Sequence, residues 1–239
     1  MDGVVAPSQR VKETLRRYGV TIPMRIIPTG VDLTAINENP RRDVRKELGL
    51  SSKDKVILTL SRVAAEKKID QILDVLPEIL EKEPNVKFVI AGDGPDVHPL
   101  KDQVARLSLE DYVTFAGSVE HSDVGNYYRM ADLFVSASDT ETQGLTYIEA
   151  LAAGTKSVVY GTDYTENVFD NKELGCTFKT KDEMKNEILD YLKEDRFTIP
   201  ENIKKNKLVD VSAATFAHKT EDFYQDAIQN KRTTEVNYD

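Results

Sequence analysis

From Val56 onward the chain alternates short apolar runs with amphipathic stretches. The runs fall at 56–60, 86–91, 113–115, 133–135 and 157–160, with a more polar one at 176–178. They show little apolar–polar alternation, as expected of strands buried on both faces of a parallel sheet. The stretches between them repeat at helical spacing. The clearest places Ile69, Ile72, Leu73, Leu76, Ile79 and Leu80 on one side. Strand followed by helix, repeated, is the pattern of right-handed βαβ units, so the expected class is α/β with a Rossmann-like, doubly wound parallel sheet. Pro77 sits inside the first long helical stretch and removes a backbone donor, which predicts a kink or break near Leu73 to Leu76. A short charged helix is expected from Arg41 to Leu48, stopped by Gly49. Phe216, Ala217, Phe223, Tyr224, Ala227 and Ile228 form a second amphipathic pattern, and the polar residues from Asn230 to Asp239 read as a frayed tail.

The first thirty residues follow another logic. A strand at 3–6, a helix from Ser8 to Tyr18 with Val11 and Leu15 inward and Gly19 as its stop, and a strand at 24–27 are too few to enclose a core. They read as the edge of a larger unit, and Pro28-Thr29-Gly30-Val31-Asp32 as a turn-rich linker running towards Pro40. The expected division is 1–30 as remnant and linker, 31–212 as the main domain, and 213–239 as a terminal helix and tail.

Composition narrows the function. The 239 residues are 40% hydrophobic, enough for a proper core, and carry a net charge of −9, which argues against a nucleic-acid partner held by a basic surface. One cysteine, Cys176, cannot form an intramolecular disulfide, and His98, His121 and His218 are too scattered to suggest a zinc site. A reducing, intracellular setting is the expectation. No apolar run approaches the roughly 18 residues that span a bilayer, so lipid contact is expected to be peripheral.

Candidate chemistry gathers where strands end. After the 56–60 strand come Arg62, Glu66 and Lys67, two cations placed to clamp a diphosphate, or else a solvated basic loop. Ala91-Gly92-Asp93-Gly94-Pro95 follows the next strand and lacks the third glycine of a dinucleotide fingerprint; a tight turn explains it as well as a ligand does. Phe115-Ala116-Gly117-Ser118-Val119 ends the third strand and offers backbone to a flat base. The fourth leads into Ser138-Asp139-Thr140-Glu141-Thr142-Gln143-Gly144-Leu145-Thr146-Tyr147-Ile148-Glu149. Ser138 to Thr142 supply turn and N-cap chemistry, and a helix is expected from Gly144. Its start would suit an anion, with Glu141 in the loop and Glu149 in the helix facing one cleft. A carboxylate among the small residues Ala150, Ala152, Ala153 and Gly154 suits a sugar or ribose diol, whose hydroxyls both donate to it.

Taken together, these strand ends resemble the C-terminal, donor-binding half of retaining glycosyltransferases of the GT-B fold, family 4. Glu141 and Glu149 match the family's two glutamates separated by seven residues, Arg62, Glu66 and Lys67 match its Arg-x-x-x-Glu-Lys, and Pro28 to Asp32 match its interdomain Pro-Asn-Gly-Val-Asp with Thr29 for Asn. The resemblance implies that Arg62 and Lys67 hold a sugar-nucleotide diphosphate, that Glu149 accepts from the ribose, and that Glu141 contacts the transferred sugar. Gly92, Gly144, Leu145 and Thr146 would border phosphate and sugar, and Val119 the base. Arg62 and Lys67 would stabilise the leaving group without a metal, and no cofactor beyond the UDP-sugar substrate is implied. Lys68 stands where the family has glycine after Glu-Lys, and Ser61 where it has glycine before the arginine.

Within the family, Glu141 to Ala150 together with Val159 to Tyr164 look most like Gram-positive enzymes that glucosylate diacylglycerol or its monoglucosyl form. That implies UDP-glucose or UDP-galactose as donor, a lipid or glycan acceptor held by an N-terminal domain, and a cytoplasmic enzyme peripheral at the inner membrane face. With only the edge of that domain present, the chain alone is expected to bind donor and transfer poorly. Apolar surface on the 216–228 helix is expected to drive self-association. Two other readings are a non-catalytic donor-binding subunit that works with a separate acceptor-binding chain and a nicotinamide-dependent Rossmann enzyme, the latter disfavoured by the missing glycine fingerprint.

Overall fold

The computed structural model describes residues 2–38, 42–193 and 199–236. Two strands, β1 (Val4–Ala6) and β2 (Met24–Ile26), pair in parallel across helix α1 (Gln9–Arg17), whose N-cap is Ser8 and whose stop is Gly19 at φ +85°. Helices α2 (Leu33–Glu38) and α3 (Val44–Glu47) follow. Asp43 caps α3, and Gly49 lies beyond its end; the expected start at Arg41 falls outside the described residues.

The main body is one parallel sheet of β3 (Lys55–Leu60), β4 (Val86–Ala91), β5 (Val113–Gly117), β6 (Leu133–Ser136), β7 (Ser157–Tyr160) and β8 (Gly175–Phe178), in the order β5-β4-β3-β6-β7-β8. All six expected strands are present. The connecting helices are α4 (Ile69–Lys82), α5 (Val97–Arg106), α6 (Val124–Met130), α7 (Leu145–Ala153) and α8 (Asp163–Val168). After the sheet come α9 (Lys181–Lys193), α10 (Glu201–Val209) and α11 (Ala213–Val236).

Strand periodicity sorts the core into two layers, because successive side chains point to opposite faces. Ile57 of β3 and Phe88 and Ile90 of β4 face α4, α5 and α9, meeting Ile72, Leu76, Val104 and Ile188. Val56, Leu58, Val89 and Phe134 face the other way, onto Tyr128, Tyr147 and Leu151 of α6 and α7.

Three expectations change. The helix carrying Pro77 runs continuously from Ile69 to Lys82, so of the expected kink or break the break is absent. Ile69, Ile72, Leu73, Val75, Leu76 and Ile79 are all buried, and this anchoring on both sides of the proline offsets the one lost backbone bond. The third strand reaches two residues further than expected, to Gly117, through a register irregularity opposite Ile90 and Ala91. The last helix is longer at both ends than its apolar pattern suggested, running through Val236.

Helix α11 returns to the N-terminal strands. A Cβ on Gly3 would lie 2.6 Å from the Phe223 ring, the Arg25 guanidinium sits 5.2 Å from that ring's centroid, and Arg25 pairs with Asp226 at 2.7 Å. Phe223 is buried by these contacts, while Tyr224 and Ile228 on the same helix are exposed.

Candidate functional site

The chain builds β3, β4 and β5 outward on one flank, then crosses back to place β6 beside β3 and continues to β7 and β8 on the other. The strand order therefore reverses between β3 and β6. In open α/β sheets the crevice beyond the carboxyl ends at such a reversal is where ligands sit. The segment after β3 carries Arg62 and Lys67, and the segment after β6 carries Glu141 and Glu149, so the structure brings the two sequence motifs to the two sides of that crevice.

On the β3 side, residues 61–64 run backbone to backbone with the β4 turn. Ser61 N donates to Ala91 O at 3.0 Å and Val63 N to Asp93 O at 2.9 Å. The approach requires glycine. At Gly92, with φ +131°, a Cβ would sit 1.8 Å from Ser61 O. Gly92 thus supports the loop that presents Arg62. A short 3-10 turn, Ala65–Lys67, follows and ends at Lys68 in the left-handed region, φ +51°. That backbone conformation favours glycine, the residue that the family pattern has there.

The charges in the crevice are already paired. Arg62 is 65% exposed and donates to Glu66 at 2.6 Å; that bond, and then the charge of Glu66, raise the guanidinium pKa, while the same bond, and then a backbone hydrogen bond, lower that of the Glu66 carboxyl. Lys67 does not stand beside Arg62 as a second unpartnered cation. Its ammonium reaches across the crevice to Glu141, each side chain 21% exposed. Lys68 likewise reaches Asp139. The β6 loop is therefore gripped at alternate residues by two consecutive lysines.

On the β6 side, α7 starts as expected after Gly144, but the cap differs from the expectation. Gly144 itself is the N-cap, in the left-handed region at φ +57°, and no side chain from Ser138 to Thr142 caps the helix. A Cβ there would lie 2.3 Å from the Tyr147 ring, so the tyrosine packed under the turn reserves the position for glycine. Leu145 is exposed and Thr146 partly so, and as the first residues of the helix their N–H groups have no acceptor within it. Ser138 keeps a turn contact, Oγ to Thr140 Oγ1 at 3.4 Å.

Glu149 is half-buried one turn further on. Tyr128 of α6 donates its hydroxyl to Glu149 Oε2 at 3.0 Å. Burial, then the charge of Glu149 and this hydrogen bond, hold the Tyr128 hydroxyl well above the ordinary tyrosine range, so it is a fixed donor. Tyr128 and Asp139 were not singled out from sequence as site residues, and Lys68 was noted only as a departure from the family's glycine. The glycine missing at position 68 was the available signal for Lys68; nothing in the spacing of α6 marks Tyr128. Val119 is partly buried beyond β5, two strands from β3 in the sheet order, and joins none of these ion pairs. Among the described residues no group of three or more His, Cys, Asp or Glu side chains comes together as a metal cluster would, and no helix is long and apolar enough to cross a membrane.

Comparison with known proteins adds the family. The model for glycosyl transferases group 1 matches residues 40–209. The alpha-monoglucosyldiacylglycerol synthase of Streptococcus pneumoniae is 37% identical over 233 residues, covering 95% of this chain and 53% of that protein. The synthase of the same name from Acholeplasma laidlawii is 30% identical over 185 residues, covering 75% of this chain and 46% of that protein. The chain thus spans about half the length of these curated relatives. Among solved structures, sucrose-phosphate synthase from Thermosynechococcus elongatus matches with a TM-score of 0.82 at 23% identity, covering 96% of this chain and 59% of that one. Anabaena Alr3699/HepE in complex with UDP and glucose matches at 0.78 and 21%, covering 94% and 63%. At such identities these two establish the α/β fold alone.

Proposed function

The chain belongs to the glycosyl transferases group 1 family, and on that premise we propose that it is the donor-binding half of a retaining hexosyltransferase that uses a UDP-hexose. The observation that carries the reading is the Lys67–Glu141 pair, which joins the β3 and β6 loops at the crevice where the strand order reverses, with Arg62 and Glu149 on the two segments it joins. A nucleoside diphosphate placed there has its phosphates against Arg62 and Lys67 and the α7 start, its ribose hydroxyls against Glu149, and its hexose towards Glu141.

In the proposed reaction the bond between the hexose anomeric carbon and the β-phosphate oxygen breaks, and the acceptor hydroxyl bonds to that carbon from the same face. Its proton passes to the departing diphosphate. Arg62 and Lys67 meet the charge that develops there, which is where fixed positive groups are worth most. Lys67 must exchange Glu141 for phosphate on the way. The names of the two relatives support a diacylglycerol-type glycolipid as acceptor, and with it a peripheral place at a membrane surface.

The test is calorimetric titration of UDP into the wild type and into Arg62→Ala and Glu149→Gln variants. Saturable binding that both variants weaken at least about tenfold is expected, the worth of one charged hydrogen bond. Equal binding in all three proteins would sink the assignment.

A further inference from the structure

We propose that Gln143 is a positioning residue that ties the Glu141 loop to the crossover at 28–31, coupling donor seating to the N-terminal segment. The proposal rests on the donor-site reading above. Gln143 lies two residues after Glu141 and is 5% exposed. Its Oε1 accepts from the backbone N–H of Thr29 at 3.0 Å, across 114 residues of sequence. The crossover at Thr29 is a joint between two packed pieces. Val31 N donates to Val211 O at 2.8 Å and Ala213 N to Val31 O at 3.1 Å, so the outgoing and returning chains run side by side. Gly30 fits between them because its Cα bears no side chain; a Cβ would lie 2.7 Å from the Ala213 Cα.

A second contact reaches the same loop from the same direction. Arg10 of α1 donates from Nη1 to the backbone oxygen of Asp139 at 3.4 Å. The loop at 139–143 is therefore held from the β3 side by Lys67 and Lys68 and from the N-terminal side by Thr29 and Arg10. When a diphosphate draws Lys67 away from Glu141, the first hold loosens and the second decides where the loop rests. The other half of the Gln143 amide points the same way. Nε2 is buried with no hydrogen-bond partner, and a buried unpaired donor is penalised, so a shift of loop or crossover that supplies an oxygen is favoured.

A purely structural strut would hold the loop regardless of ligand, and the experiment separates the two. Hydrogen–deuterium exchange is followed at the Thr29 amide and across 27–32 in the free protein, with UDP and with UDP-glucose, for the wild type, Gln143→Met and Arg10→Ala. Calorimetry on the same samples records binding. Gln143→Met should speed exchange at Thr29 by about tenfold, the worth of one hydrogen bond. UDP-glucose should change exchange across 27–32 in the wild type and leave Gln143→Met unchanged, while UDP still binds Gln143→Met within about twofold of wild type. Wild-type exchange that ignores bound UDP-glucose overturns the coupling and leaves the donor site standing. A ligand response that persists in Gln143→Met overturns it too. Absence of UDP binding in the wild type removes the donor site and the coupling with it. If Gln143→Met does not fold, Arg10→Ala decides, since Arg10 is exposed on α1 and its loss must reduce the ligand response.

Discussion

Replacing Tyr128 by Phe removes one oxygen from the molecule and leaves its packing in place. The ring is fully buried and meets Phe134 edge-on, with centroids 5.6 Å apart and planes at 68°, none of which needs the hydroxyl. What disappears is the bond to Glu149 Oε2 at 3.0 Å. Hydrogen bonds to charged groups contribute about 1.5–3 kcal/mol, but Glu149 is half-buried and recovers water, so about 1 kcal/mol of stability should go. For a chain of this size that lowers Tm by about 2–4 °C.

On the proposed assignment the larger effect falls on binding. Without its donor the carboxylate is free to rotate, and a ribose diol must order it at about 0.5–1.5 kcal/mol, equal to UDP binding weaker by roughly 2- to 12-fold. A 2′-deoxy analogue of UDP has less to lose and should show a smaller ratio between wild type and variant. Because the Tyr128 hydroxyl is raised well above its ordinary range, the ratio should stay flat between about pH 6 and 9. Calorimetry with both nucleotides checks the magnitude. Equal affinities of wild type and Tyr128→Phe for UDP would refute the claim that Tyr128 orients a ribose-binding carboxylate. Glu149→Ala is a poor comparator, since it strands the buried Tyr128 hydroxyl; Glu149→Gln keeps an acceptor there.

Glu141→Gln releases Lys67 and should tighten UDP binding, by up to about 1 kcal/mol for a partly exposed ion pair, while transfer falls; weaker binding in calorimetry would contradict the competition. Lys68→Gly relieves about 1 kcal/mol of left-handed backbone strain and gives up an ion pair worth about 0–1, so thermal melting should show Tm level or raised, and a fall of several degrees would mean the pair outweighs the strain. Gly92→Ala must drive the Ser61 carbonyl away from a Cβ at 1.8 Å, which should lower Tm and UDP affinity together; an unchanged melting curve would show that the 61–64 loop does not depend on that approach. Burial first, and then the hydrogen bond to Glu187, push the Cys176 thiol up, so the folded protein should resist iodoacetamide at about pH 8 and react only in denaturant.

The strands were legible because burial on both faces leaves predominantly apolar runs, as at 56–60 and 86–91, each interrupted only once, by Thr59 and Lys87. Their order was not, since periodicity reports that a strand is covered and not which strand lies beside it. The reversal between β3 and β6, which defines the crevice, is a property of pairing alone. The α7 cap was misread for a related reason. Four residues from Ser138 to Thr142, namely Ser138, Asp139, Thr140 and Thr142, have capping chemistry, yet the backbone turns at Gly144, where the Tyr147 ring leaves no room for a Cβ. In α4 a local rule about Pro77 yielded to tertiary anchoring by Leu73, Leu76 and Ile79. Arg62, Lys67, Glu141 and Glu149 stood out because they match family motifs whose spacing is linear in the sequence. Their partners did not, because Tyr128 and Gln143 act through contacts that cross the chain.

Charges that look available in sequence are committed in the fold, and the commitment has a direction. Arg62 pairs within its own loop, to Glu66, so an incoming anion competes there with an exposed partner that water readily replaces. Lys67 and Lys68 pair across the crevice, to Glu141 and Asp139, so an anion that takes either lysine also frees a carboxylate of the opposite loop. For Lys67 that carboxylate is Glu141, on the proposed assignment the one meant for the sugar. Seating the diphosphate on Lys67 therefore delivers Glu141 to the hexose in the same exchange, and without donor the carboxylate stays neutralised. The arrangement asks of the ligand both ends at once: phosphate to displace Glu141, and hydroxyls to receive it. A free diphosphate meets the first demand only and leaves Glu141 without a partner in a half-buried place, so UDP-hexose should hold the crevice better than UDP alone by what that unpaired carboxylate costs.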